Sequence, residues 1–256
     1  MTDPAVTVTD RASYILAANP GIMTLDGTNT WILREPGAEH SVVVDPGPVD
    51  DGHLQAVLEA SRPVGLVLLT HRHFDHTESL GRFAELTGAP SRSFDPEFCR
   101  EAPPLADGET IVVDGLELEV IATPGHTTDS ACLRLPADDS LLSGDTVLGR
   151  GTTVIAHPDG VLGPYLDSLA HIRELIEEGL VARILPGHGP VVDDPAAVVD
   201  FYLEHRAERL EQVRAAVDSG ATTPHEVVVA VYKDVDESLW GAAELSVAAQ
   251  LDYLRT

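Results

Sequence analysis

Over its first three-quarters the chain alternates short apolar runs with polar breaks; it then changes character. Runs rich in Val, Ile and Leu at 30–35, 40–45, 64–70, 109–115, 116–124, 130–136, 139–145 and 181–187 predict β-strands, several ending in Gly, Pro or Asp. The Asp114-Gly115 pair predicts a tight hairpin between the fourth and fifth of these. Helices are predicted over 50–60, 77–87 and 165–179, the last because Leu166, Leu169, Ile172, Leu175 and Ile176 recur at helical spacing. From near Pro195 the pattern is almost entirely helical, over 195–218, 224–233 and 237–255. Threonine caps and a proline in "ATTPHE" mark the second of these starts. The expected organisation is an α/β domain over 1–194 and a small helical appendage over 195–256.

Composition narrows the class. The chain has 256 residues, 43% of them hydrophobic, enough for a sizeable core. The stretch at 1–14 has no basic patch leading into an apolar segment, and no apolar run approaches a membrane-spanning length. A cytoplasmic protein without membrane association is the expectation. Cys99 and Cys132 do not make a disulfide framework. Both are expected as free thiols, with Cys132 packed in the core. The formal net charge is −26, and Lys233 is the only lysine. Such a surface repels polyanions at long range and argues against nucleic-acid binding, although a bound metal adds local positive charge that the count omits.

The densest chemistry lies in "LLTHRHFDHTES", where an apolar run is followed by His71, His73, Asp75 and His76. Residues two apart in an extended segment point to one side, so His71 and His73 can reach one ion. Asp75 and His76 follow where the chain turns into a helix and can face a second ion. His126 in "TPGHTTDS", Asp145 in "LLSGDT" and His188 in "ILPGHGP" also sit just beyond predicted strands. A tetrahedral zinc takes four ligands, so this set suggests two ions. His40, His53, His157, His171, His205 and His225 lack such a context and are expected to be solvated or structural.

"THRHFDH", "PGHT", "SGDT" and "PGHGP", in that order, resemble the metallo-β-lactamase-fold superfamily over about the first 190 residues. The resemblance implies a four-layer αββα sandwich with the site at one edge. It implies one metal on His71, His73 and His126, a second on Asp75, His76 and His188, and Asp145 bridging both. It also implies that Asp45, in "VVVDPG", supports the ligands from behind by hydrogen bonds. Penicillin-degrading members usually carry Cys or Ser at the bridging position, and di-iron oxygen-reducing members carry a carboxylate where this chain has His73. Both chemistries are therefore disfavoured.

"NPGIMTLDGTNTW", "GDTVLGRGTT" and "YKDVDESLWGAAELSVAAQLDYL" resemble the β-lactamase-like protein 2 branch, which includes an endoribonuclease and polyketide thioesterases and carries a winged-helix-like appendage. No wing hairpin is evident here, and acidic residues outnumber basic ones from 195 on. The appendage is expected to pack on the catalytic domain, to cap the cleft, or to form a homodimer contact. The expected activity is hydrolysis of a small ester or thioester with two Zn2+ (Fe or Mn as alternatives), Asp75 and Asp145 being the catalytic carboxylates. Asn29, Thr153, His157 and Tyr165 are candidate substrate contacts. The alternatives are an endoribonuclease acting on single-stranded RNA, a mononuclear iron persulfide dioxygenase-like enzyme, and a metal-free binding protein.

Overall fold

Short strands of Val, Leu and Ile are buried on both faces here, because each sheet is covered on one side by helices and on the other by its partner sheet. A computed structural model describes residues 5–233 and 236–255. The reading of 1–14 and the outer limits of the expected division thus fall partly on residues outside the described ones. One sheet runs in order through β1 (Val6–Thr7), β2 (Ala12–Leu16), β3 (Asn29–Leu33), β4 (Ser41–Val44), β5 (Val64–Leu68) and β6 (Ser91–Arg92). Its first four strands are antiparallel and its last three parallel, with α1 (Asp51–Ser61) crossing from β4 to β5. The second sheet, from its far edge, is β7 (Thr110–Val113), β8 (Leu116–Ala122), β9 (Ala131–Leu135), β10 (Ser140–Gly144) and β11 (Arg183–Pro186). It is antiparallel except for β10 and β11, which are parallel and joined through α4 (Leu162–Glu177).

The side-chain alternation of β4 shows how the layers arise. Val42 and Val44 face the second sheet and, with Leu68 of β5, share a cluster with its Leu118, Leu133 and Leu185. Val43 points the other way, into a cluster with Val57 of α1 and Phe83 of a following helix. On the outer face of the second sheet, Cys132, Leu141 and Ile184 pack against Leu169 and Ile172 of α4 and against Val199 and Tyr202. The result is the αββα sandwich of the metallo-β-lactamase fold. Cys132 is fully buried, as expected, and both cysteines are free.

Three helices follow the sandwich: α5 (Pro195–Asp218), α6 (Pro224–Val231) and α7 (Trp240–Tyr253). Asp194 caps α5, and Thr223 with Glu226 forms a capping box on α6. The first half of α5 lies on the α4 layer, whereas its second half joins α6 and α7 around Val213, Val227, Val228, Val247 and Leu251. No strand follows α7 among the described residues, so no wing hairpin accompanies these helices there. Among the described residues no helix is long and apolar enough to cross a membrane.

The eight predicted strands appear within a few residues of their expected limits, and the Asp114-Gly115 hairpin forms with both residues at positive φ. β1, β2 and β6 were not predicted. β1 and β6 are two residues long, and the alternation in "ASYIL" is weak. The single helix expected at 77–87 is two, α2 (Phe74–Thr77) and α3 (Leu80–Thr87). Ser79 breaks it, because its amide donates to the Gly47 carbonyl and its hydroxyl to that of Pro48. The earlier start places Asp75 and His76 on a helical turn.

Leu133 is fully buried between the two sheets. Leu133→Ala is expected to cost about 2–5 kcal/mol of stability, read as a lowered denaturation midpoint.

Candidate metal centre

The chemistry-bearing residues lie at the C-terminal ends of strands that point the same way within each sheet. Asp45 follows β4, His71 and His73 lie just past β5, and α2 then carries Asp75 and His76. In the second sheet His126 lies beyond β8, Asp145 directly follows β10 and His188 lies just beyond β11. The sheets are stitched together at this edge. Trp31 Nε1 donates to the Pro186 carbonyl, the Asn29 amide N–H to that of Gly187, and the Asn29 side chain to those of Pro186 and Gly189.

Two groups of ligand atoms result. His71, His73, His126 and Asp145 form one; Asp75, His76 and His188 form the other; within each group the atoms lie within 4.8 Å of one another. His73 Nδ1 is 3.0 Å from His71 Nε2 and 3.1 Å from His126 Nε2. His188 Nε2 is 3.3 Å from His76 Nε2 and 3.2 Å from Asp75 Oδ2. Asp145 lies between the groups, with Oδ2 3.6 Å from His126 Nε2 and 3.3 Å from His188 Nε2, and Oδ1 3.5 Å from His76 Nε2. Bond lengths of 2.0–2.1 Å to a tetrahedral ion put ligand atoms about 3.3 Å apart, close to these separations.

The outer ring nitrogens settle which lone pairs face inward. His126 Nδ1 is 2.9 Å from the Val154 carbonyl and His188 Nδ1 is 3.0 Å from that of Gly27; a carbonyl only accepts, so both nitrogens donate. His76 Nδ1 donates to Asp45 Oδ2 at 2.9 Å. Thr70 Oγ1 gives its hydrogen to Asp45 at 2.7 Å and therefore accepts from His71 Nδ1 at 3.0 Å. Four imidazoles thus turn their Nε2 atoms toward the centre, and His73 brings Nδ1 against two of them. Asp145 Oδ1 is buried and accepts no hydrogen bond. Converging lone pairs and an orphaned carboxylate oxygen are the donor set of a cation site, so these residues fit the metal that the fold implies.

Electrostatics separates the two groups. Burial and the neighbouring histidines hold His71 well below its ordinary pKa, and burial lowers His73. Burial also depresses His126, to about 4, despite the opposing charge of Asp145. The first group is therefore neutral imidazole near neutral pH. In the second group burial also disfavours the cation, but Asp75, Asp145 and Asp45 outweigh it at His76 and raise that pKa; Asp145 and Asp75 do the same at His188. Both imidazoles therefore favour the protonated form while no ion is bound, and an incoming ion displaces that proton. Burial opposes the charge of Asp145, yet His188 and His76 hold its pKa at about 2.

Asp45 is the hub behind the ligands. It stands at φ +55° and accepts from the Thr70 amide, the Thr70 hydroxyl and His76. Its own carbonyl accepts from Thr30 Oγ1, which in turn accepts from His53 Nε2 at 2.8 Å. His53 is buried and Thr28 Oγ1 donates to Asp75; neither role carries a local sequence signal. Gly187 is the other residue that sequence reasoning missed. A Cβ there would lie 2.6 Å from Asp145 Oδ1 and 2.8 Å from His76 Cε1.

The cleft beside Asp145 and His126 is walled by Ile22, Met23, Leu25, Leu148, Arg150 and Thr153. Of the four candidate substrate contacts, Thr153 lines it, with Oγ1 3.2 Å from His126 Nδ1. Asn29 is buried in the stitching between sheets, and Tyr165 is buried with its hydroxyl on the Thr146 carbonyl. His157 is exposed and lines a separate crevice with Val161, Tyr253 and neighbouring residues of α4 and α7. The other three are thus placed away from the cleft wall.

A two-sheet sandwich with histidine and carboxylate loops gathered at one edge is the arrangement of a class of metal-binding enzymes. The family model described as the metallo-beta-lactamase superfamily matches residues 23–188, and that of the beta-lactamase associated winged helix domain matches 223–256. The chain belongs to the metallo-beta-lactamase superfamily and is a hydrolase of it. It is 33% identical to a beta-lactamase-like protein 2 homolog from Drosophila melanogaster, over 98% of this chain and 90% of that protein. It is 34% identical to an atrochrysone carboxyl ACP thioesterase from Aspergillus fumigatus, over 87% and 73% respectively. The crystal structure of a metallo-beta-lactamase family protein from Thermus thermophilus superposes with a TM-score of 0.81 at 22% identity, covering 97% of this chain and 94% of that one.

Gly187→Ala is expected to lower metal affinity about 10–100-fold with little change in melting temperature, since the added methyl displaces Asp145 and His76. Chelator competition on the purified variant measures it.

Proposed function

We propose that this chain is a binuclear zinc hydrolase of esters or thioesters. The observation that carries the proposal is Asp145, a buried carboxylate lying between the two ligand groups, with Oδ2 3.6 Å from His126 Nε2 on one side and 3.3 Å from His188 Nε2 on the other. His71, His73 and His126 would hold one ion, and Asp75, His76 and His188 the other, with Asp145 shared. Such a pair supplies a hydroxide at neutral pH and polarises a substrate carbonyl. The chain's own residues do the rest. Asp75 is the more exposed of the two carboxylates, with its side chain 25% accessible, so it is the one placed to exchange a proton with solvent. Thr153 and the apolar wall of Ile22, Met23, Leu25 and Leu148 orient a substrate against the site.

The thioesterase named among the relatives supports a thioester, and so does the electrostatics of the mouth. Arg150 is paired with Asp26, and Arg72 with Asp129 at 3.0 Å. With these cations engaged and a net charge of −26, a phosphodiester chain finds little to hold it. The division at 194–195 belongs to this proposal. Its support is the separate apolar cluster formed by the end of α5 with α6 and α7. Location in the cytoplasm is proposed on the same footing.

Elemental analysis of purified protein, run beside assays with a generic thioester and with single-stranded RNA, tests this reading. The expected outcome is near two zinc ions per chain with thioester turnover, both sharply reduced in His126→Ala and Asp145→Asn. RNA cleavage without thioester turnover replaces the substrate class, and a single iron with no hydrolysis overturns the proposal.

A further inference from the structure

Arg206 lies on α5, outside the sandwich, yet it is only 6% exposed. Among the described residues it forms no ion pair, and its Nε finds no hydrogen-bond partner. Burying a guanidinium costs free energy unless its donors are used, and an aliphatic side chain would fill the same space without that cost. The donor that is used goes to the loop beside the metal centre. Nη2 donates to the carbonyl of Thr153, and the guanidinium lies 5.2 Å from the centroid of the Tyr165 ring.

The segment it grips carries the support of one ligand. Thr153 Oγ1 and the Val154 carbonyl both lie against His126 Nδ1, at 3.2 and 2.9 Å. The same segment starts at Asp145 and is bolted at two further points: Tyr165 Oη donates to the Thr146 carbonyl, and Tyr202 Oη, one turn before Arg206, accepts from the Leu148 amide. Residues 146–154 are therefore clamped from α4 and α5. The clamp is tightest in consequence at Thr153, where a change in backbone orientation also turns the carbonyl that fixes the His126 tautomer.

We propose that Arg206 is a positioning residue for the first ligand group, setting His126 through the Thr153–Val154 backbone, and that α5 thereby makes the helical appendage part of the metal centre. This rests on the metal reading above, but one of its tests does not.

Arg206→Met keeps the packing of the stem and removes the donors. In metal-free protein, the His126 imidazole nitrogen signals in nuclear magnetic resonance are expected to shift toward a mixed tautomer, while those of His188 stay in place. In zinc titrations the variant is expected to bind about tenfold more weakly than the parent, and to show no added loss in a His126→Ala background, because both changes then act through one contact. Unchanged His126 signals with unchanged affinity overturn the inference. So does a loss of affinity that adds in full to that of His126→Ala, which assigns Arg206 to general stability. If Arg206→Met does not fold, Arg206→Gln, whose amide is two bonds shorter, decides by the same signals: a His126 shift supports the role and none overturns it. A parent protein that binds no zinc defeats the metal reading, and the metal-free spectra still decide the role of Arg206.

Discussion

Gathering ligand atoms is the constraint on which this structure depends. Four histidine Nε2 atoms, one Nδ1 and two carboxylates converge in a pocket where most of them are out of water. Left to relax, such atoms would turn to solvent or to other donors. They are held by hydrogen bonds on their outer sides, and those bonds need rigid partners. The strand ends supply them: β4 delivers Asp45, β5 delivers Thr70 and His71, and β10 and β11 deliver Asp145 and His188.

The two sheets share the work unequally. The first supplies Asp45 and, with it, the fixed tautomers of His71 and His76. The second supplies Asp145, which lies between the two groups, and the two histidines whose outer nitrogens are held by carbonyls, Gly27 for His188 and Val154 for His126. One of these carbonyls belongs to the first sheet's approach to β3 and the other to the loop that the helices clamp. The centre is thus assembled only when both sheets and their covering helices are in place. Gly187 shows how close the fit is, since no side chain could occupy its position without entering the site.

Much of this was legible in the sequence. Ligand residues cluster beyond apolar runs, and spacing alone brought His71 together with His73 and set Asp75 beside His76. The supports were not legible, because they act across long separations. His53 reaches Asp45 through Thr30, and Arg206 reaches His126 across Thr153. Nothing near His53 or Arg206 distinguishes either from a surface residue on a helix. Tyr165 and Asn29 illustrate the converse. Both fall in stretches that resemble active-site segments, and both are buried in bracing positions near the site rather than on the cleft wall. The short strands β1 and β6 escaped notice because two residues carry no period.

The most direct test of the central claim is anomalous diffraction from crystals of the zinc-loaded protein, collected on both sides of the zinc absorption edge. Two peaks about 3.5–4 Å apart are predicted, one within His71, His73 and His126, the other within Asp75, His76 and His188, with Asp145 between them. A single peak, or peaks outside these residues, would contradict a shared two-ion centre.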